Sequence, residues 1–279
     1  MVSRILSIQG LLVYLAFVSN TFWATSAVTA AADTQAIRPT LLLVGDSLTE
    51  LGTDPAVDGW VTLLQYRYTR SADVLVRGLS GYNTRWFVNH VMPALEKEIA
   101  DGVYTPSLIA VWLGVNDATL TNGSNPEMHV PVENYTANLV DIVSKFQTVA
   151  SDAEVLLITP PHVDDAIRTR FAEERNDTKH GLVDRSNVMA GDYARACVEA
   201  ASQADVPVLD LYAHFNAMNE STRNNFLNDG LHFSAAGHKV VDEQFRSKIA
   251  VEFPDLVANL KPWQFPASSK WVSEDPYPL

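Results

Sequence analysis

Leu41-Leu42-Leu43-Val44-Gly45-Asp46-Ser47-Leu48-Thr49 is the stretch on which the fold turns. Four apolar residues run straight into Gly-Asp-Ser. A short apolar run closed by glycine reads as a buried parallel strand whose tip opens into a loop. In open α/β sheets, ligands bind just beyond the carboxyl ends of the strands. Ser47 is therefore a candidate nucleophile. Serine is also a favoured helix N-cap, and this fragment alone leaves both roles open.

The pattern repeats outward from that stretch. Short apolar runs recur at 40–44, 74–76, 108–113, 155–158 and 206–209. Helical patterns lie between them at 60–69, 84–100, 131–149 and 183–204, and a last one covers 234–251. Strands alternating with helices predict an α/β fold, a parallel sheet covered on both faces and joined by right-handed crossovers. No repeat or low-complexity linker divides the chain, so residues 33–253 read as one domain. The tail, 254–279, holds five prolines with Trp263, Phe265 and Trp271, and predicts an extended segment packed on that domain.

Composition limits what such a domain can do. The chain has 279 residues, 47% of them apolar, enough for a sizeable core. A net charge of −13 argues against nucleic acid and against anionic membrane surfaces as partners. Arg4 precedes a mostly apolar run over 5–18, then small residues such as Ala24 and Ala30-Ala31-Ala32, with no further charge until Asp33. That three-part pattern predicts a secretory signal peptide over 1–32. A retained membrane anchor is the alternative, although the apolar run is short of the ~20 residues a spanning helix needs. Asn122, Asn134, Asn176 and Asn219 each open an N-x-S/T sequon, in keeping with an exported glycoprotein. The single cysteine, Cys197, excludes an internal disulfide and reads as a buried thiol in an Ala-rich helix.

Three later stretches carry small and polar residues at strand ends, where a core would not want them. Arg77-Gly78-Leu79-Ser80-Gly81-Tyr82-Asn83-Thr84-Arg85-Trp86 follows the second strand, and its glycines allow a tight turn whose backbone N–H faces a ligand. Gly114-Val115-Asn116-Asp117 follows the third, with an amide donor or a capping residue at Asn116. Asp229 and His232 stand three apart before the last helix, where a carboxylate can hold one imidazole nitrogen and leave the other as a base. Each stretch alone has a plain reading as a loop or helix start. Together they supply what acyl transfer needs: Ser47 as nucleophile, His232 as base and then acid, Asp229 to fix the tautomer, and Ser47 N–H, Gly81 N–H and the Asn116 amide for the oxyanion.

The set Gly45-Asp46-Ser47-Leu48, Gly81, Gly114-x-Asn116-Asp117 and Asp229-x-x-His232 resembles the GDSL/SGNH hydrolases. Within them, Gly78 to Trp86, His129-Val130-Pro131 with Tyr135, Leu156 to Pro161, and Asp229-Gly230-Leu231-His232 resemble the isoamyl acetate-hydrolysing esterase branch. Val115 and Phe233 depart from the block patterns, as does the leader. The resemblance implies a three-layer α/β/α sandwich with a five-stranded parallel sheet of flavodoxin-like order. It also implies hydrolysis of carboxylic esters without metal or organic cofactor. The G-x-S-x-G elbow of α/β-hydrolases is absent around Ser47.

The remaining residues have lesser expected roles. Asp46, Arg85 and Trp86 are candidates for lining the substrate site, Asp46 also for orienting the Ser47 loop or capping a helix. Asp164-Asp165 reads as a solvated loop. His90, His129, His162, His180, His214 and His238 are scattered without metal-ligand spacing and read as surface or structural. The expected activity is an exported serine esterase acting on small or medium esters, with a homodimer left open. A carbohydrate O-acetyl esterase is the rival enzyme, and a non-catalytic binding protein on the same fold is the rival from another class.

Overall fold

The computed structural model describes residues 38–272. The leader and the end of the tail lie outside the described residues. The unit that begins at Arg38 is built on one five-stranded parallel sheet. Its strands are β1 (Thr40–Gly45), β2 (Asp73–Gly78), β3 (Leu108–Trp112), β4 (Glu154–Ile158) and β5 (Val208–Leu209), in the spatial order β2-β1-β3-β4-β5. This is the flavodoxin-like order anticipated above.

β1, β3 and β4 are largely apolar because both faces are buried, whereas the edge strand β2 carries Asp73 and Arg77 and is only partly buried. Leu41, Leu43, Ala110, Trp112, Leu156 and Ile158 pack on one side, against Trp60 and Leu64 of one helix and Val241, Phe245 and Ile249 of another. Leu42, Val44, Ile109, Val111, Val155 and Leu157 pack on the other side, against Leu95, Leu139, Val143, Phe146, Cys197 and Ala200. The helices, in chain order, are α1 (Ser47–Glu50), α2 (Trp60–Tyr68), α3 (Thr84–Trp86), α4 (Met92–Ala100), α5 (Val132–Val149), α6 (Asp165–Glu173) and α7 (Asn187–Gln203). They continue with α8 (Leu211–Asn216), α9 (Glu220–Asn224), α10 (Ala235–Glu252), α11 (Pro254–Asn259) and α12 (Ser268–Val272). α2 and α10 cover one face; α4, α5 and α7 cover the other. Among the described residues, no helix is long and apolar enough to cross a membrane.

Four expectations are corrected. Asp164-Asp165 opens α6 rather than a solvated loop: Asp164 is buried and its Oδ1 accepts from the N–H groups of Ala166 and Ile167 at 3.0 and 3.1 Å. The helix went unseen because its buried face carries Arg168 and Ala172 instead of an apolar stripe. The pattern over 84–100 is interrupted by a π turn, Phe87–Val91, just before Pro93. Proline cannot donate to the preceding turn, and the five-residue ring accommodates that loss. The pattern over 183–204 becomes helical only after Ser186, whose Oγ caps α7 by accepting from Met189 N–H at 3.2 Å. Finally, the tail begins as a helix, α11, and its Leu256 and Leu260 join the core beside α10.

Candidate active site

The sheet order reverses at β1: the chain passes to β2 on one side and then to β3 on the other. A crevice opens at such a switch point. The loops that leave β1, β2 and β3 there carry Ser47, Gly81 and Asn116, respectively.

Asp46, not Ser47, caps α1. Its Oδ1 accepts from Leu48 N–H at 2.9 Å, which leaves Ser47 as the first helical residue with its hydroxyl free to serve another partner. Asp46 is fully buried, so of its expected roles it takes capping and is removed from substrate contact. Burial pushes its carboxyl up to about 7, against the pull of the Leu48 N–H and of His232. Trp60 pins the same turn from below, its indole N–H donating to Leu48 O at 2.9 Å.

The partner of the Ser47 hydroxyl comes from 185 residues away. His232 Nε2 stands 3.0 Å from Ser47 Oγ, and His232 Nδ1 stands 2.8 Å from Asp229 Oδ2. Asp229 Oδ1 accepts from the backbone N–H groups of Leu231 and His232 at 3.0 and 2.8 Å. The carboxylate thus shapes the turn that carries the imidazole as well as holding the ring. Burial works against its charge, but the bonds from the His232 ring and backbone outweigh it and hold Asp229 well below the usual carboxylate range. An ionised Asp229 only accepts, so Nδ1 must carry the imidazole proton and Nε2 presents its lone pair to the hydroxyl.

Gly81 sits at the third position of a turn in which Tyr82 N–H donates to Leu79 O at 3.1 Å. Its φ of +82° is the left-handed value that glycine adopts without strain. A Cβ there would meet only Met128 Cε, at 3.5 Å, so the requirement is conformational and not steric.

Asn116 is buried, and its amide is fixed from both ends. Nδ2 donates to Tyr82 O at 2.9 Å, while Oδ1 accepts from the Arg185 guanidinium. A guanidinium can only donate and a carbonyl can only accept, so these partners assign the amide's orientation by themselves. One Nδ2–H goes to Tyr82 O, and among the described residues no acceptor is seen for the second. The neighbouring Asp117 accepts from Thr84 N–H at 3.0 Å and from the Thr84 hydroxyl, tying the Asn116 loop to the start of α3. Burial pushes Asp117 up to about 7 as well.

The other expected residues make none of these hydrogen bonds. Arg85 is exposed and donates to Glu127 O at 2.9 Å; Trp86 is half-buried, edge-on to Tyr82. Cys197 is buried in α7, where burial pushes its thiol up to about 12 and leaves it unreactive. His162 and His238 are buried, and His129 leans on Thr119 O at 2.8 Å. Among the described residues, no group of three His, Cys, Asp or Glu could hold a metal ion. The residue that sequence reasoning missed is Arg185. It falls inside what reads as the start of a helix, where a charged residue passes for a solvated one.

Residues 43–240 match the profile of the GDSL-like lipase/acylhydrolase family. The chain belongs to that family. This GDSL hydrolase is 38% identical over 212 residues to the isoamyl acetate-hydrolyzing esterase 1 homolog of Rattus norvegicus, covering 75% of this chain and 81% of the relative. It is 37% identical over 219 residues to a GDSL esterase/lipase of Arabidopsis thaliana, covering 77% and 88%. Among solved structures, it resembles the lipase/acylhydrolase from Enterococcus faecalis with a TM-score of 0.52 at 21% identity, covering 76% and 95%. It also resembles an acetylxylan esterase from Geobacillus stearothermophilus with a TM-score of 0.54 at 21% identity, covering 76% and 94%. The GDSL hydrolase is a carboxylic ester hydrolase with the α/β fold common to these neighbours.

Proposed function

We propose that this esterase cleaves small to medium carboxylic esters, acetates among them, through a Ser47-His232-Asp229 triad. The observation that carries the reading is the unbroken run of hydrogen bonds from Ser47 Oγ through the imidazole to Asp229. Ser47 Oγ attacks the acyl carbon while His232 Nε2 takes its proton. The carbonyl oxygen becomes an oxyanion that receives hydrogen bonds from Ser47 N–H, Gly81 N–H and the spare Asn116 Nδ2–H. His232 then gives its proton to the departing alcohol oxygen, leaving an acyl-serine. A water molecule repeats the sequence: His232 takes its proton, the acid is released, and the serine is regenerated. Asp229 stays ionised throughout, stabilising the imidazolium. Arg85 and Trp86, beside the Gly81 turn, are assigned to the rim of the substrate site.

The acetate preference is supported by the identity to the isoamyl acetate-hydrolyzing esterase homolog, which covers most of both chains. The leader and the four exposed sequon asparagines support export of a glycoprotein. Neither a nucleic acid nor a stable membrane partner is part of this proposal. A panel of p-nitrophenyl esters from acetate to palmitate, run beside acetylated xylan, tests the substrate. The reading expects turnover highest on the short esters and falling with chain length. Turnover confined to acetylated xylan would replace it with the carbohydrate esterase, and turnover of none of them would remove it.

A further inference from the structure

Behind the proposed site lies a buried ionic cluster that no step of the mechanism uses. Arg168 on α6, and Asp184 and Arg185 in the segment before α7, are each only 6% exposed. Arg185 spends its fork on three acceptors at once. Nε donates to Val115 O at 2.9 Å, Nη1 to Asp184 Oδ2 at 2.6 Å, and Nη2 to Asn116 Oδ1. Arg168 clasps the other side of Asp184, with Nε to Oδ1 at 3.0 Å and Nη2 to Oδ2 at 2.6 Å. Its remaining Nη1 donates to Asp229 O at 3.1 Å and lies 3.9 Å from Asp229 Oδ2. The run Asn116–Arg185–Asp184–Arg168–Asp229 therefore joins the amide of the oxyanion site to the acid of the triad.

Burying such a cluster costs desolvation that its attractions do little more than offset, so stability alone explains it poorly. Its geometry explains it better. The Asn116 amide has two orientations of similar shape, and only one gives Tyr82 O an N–H and Arg185 an oxygen. In the other, a carbonyl oxygen would face the developing oxyanion. Tyr82 O favours the productive orientation with one neutral hydrogen bond, whereas Arg185 adds a charge-assisted one that the flipped amide would convert into an N–H facing a guanidinium.

We propose that Arg185, held by Asp184 and Arg168, is a positioning residue that locks the Asn116 amide with its N–H toward the oxyanion. The proposal rests on the ester-hydrolysis reading above. It acts on the transition state and not on substrate affinity, because the oxyanion charge exists only after attack. Lysine keeps the charge beside Asp184 but has no planar fork to reach Val115 O, Asp184 and Asn116 together.

The test is a double-mutant cycle of R185K with N116A, read as kcat and KM on p-nitrophenyl acetate. Loss of one oxyanion donor lowers turnover by ~10²–10³, and N116A is expected in that range. R185K should lower kcat at least about tenfold, with KM within about twofold. In the N116A background, R185K should cause no further loss, since there is no amide left to hold. An unchanged kcat in folded R185K overturns the proposal. So does an equal loss from R185K with or without the Asn116 amide, which is what general loosening would give. Should R185K fail to fold, R185Q, which leaves Asp184 paired with Arg168, is read by the same two criteria. A native protein that hydrolyses no ester would instead remove the parent reading and leave the cycle without a rate to compare.

Discussion

Asp229 accepts three hydrogen bonds from its own turn, from two backbone N–H groups and one imidazole nitrogen. That count decides the protonation pattern of the site. In D229N the side chain can donate as well as accept, so the imidazole loses its reason to keep the proton on Nδ1. Turnover on p-nitrophenyl acetate should fall by about 10⁴-fold in protein that keeps its fold. A loss under tenfold would take Asp229 out of the triad. The pH dependence belongs to the same residues. Because Asp229 is held well below the usual carboxylate range, it stays charged while the imidazole takes up its proton. The acid limb of the kcat/KM profile should therefore report the imidazole, which must be neutral to act as base, and not Asp229. A profile with no acid limb would exclude His232 as the base. Ser47, Asp229 and His232 stand out in the sequence because a serine just after a strand, and a carboxylate and an imidazole three apart before a helix, have few structural uses in common. Arg185 was not, since a buried arginine is identified by its acceptors and those lie far away in sequence.

At the scale of the element, the strands and the site loops were the legible parts. β1, β3 and β4 are buried on both faces and read as continuous apolar runs. α6 was not legible, because its inward face is polar and is satisfied by Asp184 and Asp229. α11 was hidden by its proline, which reads as a breaker inside a helix yet suits the first turn. The Gly81 turn offers a test of this level. In G81A the new methyl group has room, but alanine must hold a φ of +82°. The expected cost is about 1–2 kcal/mol of stability from backbone strain alone, seen as a lower urea midpoint with an unchanged slope. A midpoint equal to the native protein's would mean that the turn relaxes to negative φ without cost.

Across the whole molecule, buried histidines and carboxyls together set how the fold answers to acid. His162 and His238 have almost no exposure, and burial pushes each down to about 4. The unfolded chain binds their protons at the ordinary value near ~6.5, ahead of the folded chain. Each therefore removes stability as the pH falls from about 6.5 toward about 4. Asp46 and Asp117, pushed up to about 7, act in the opposite direction, holding protons in the fold that the unfolded carboxylates give up. The two effects overlap, so the informative quantity is a difference. H162F, set against Phe215 whose ring already lies 4.7 Å from the imidazole, should lose melting temperature less steeply than the native protein between pH 6.5 and 4. Parallel curves would mean that His162 is protonated within the fold. A parallel sheet covered on both faces followed from the alternation of patterns, and its strand order from the family resemblance. What no pattern could supply was the meeting of three loops at the β1–β3 switch point, because that is set by the crossovers between them.

The proposed ester cleavage depends on Ser47 being the activated hydroxyl of this molecule. Its most direct test is labelling with a fluorophosphonate, followed by mass spectrometry of the digested protein. The account predicts one adduct per chain, on Ser47, absent in S47A and slowed by orders of magnitude in H232A. A native protein that takes no label, or one labelled on a residue other than Ser47, would contradict it.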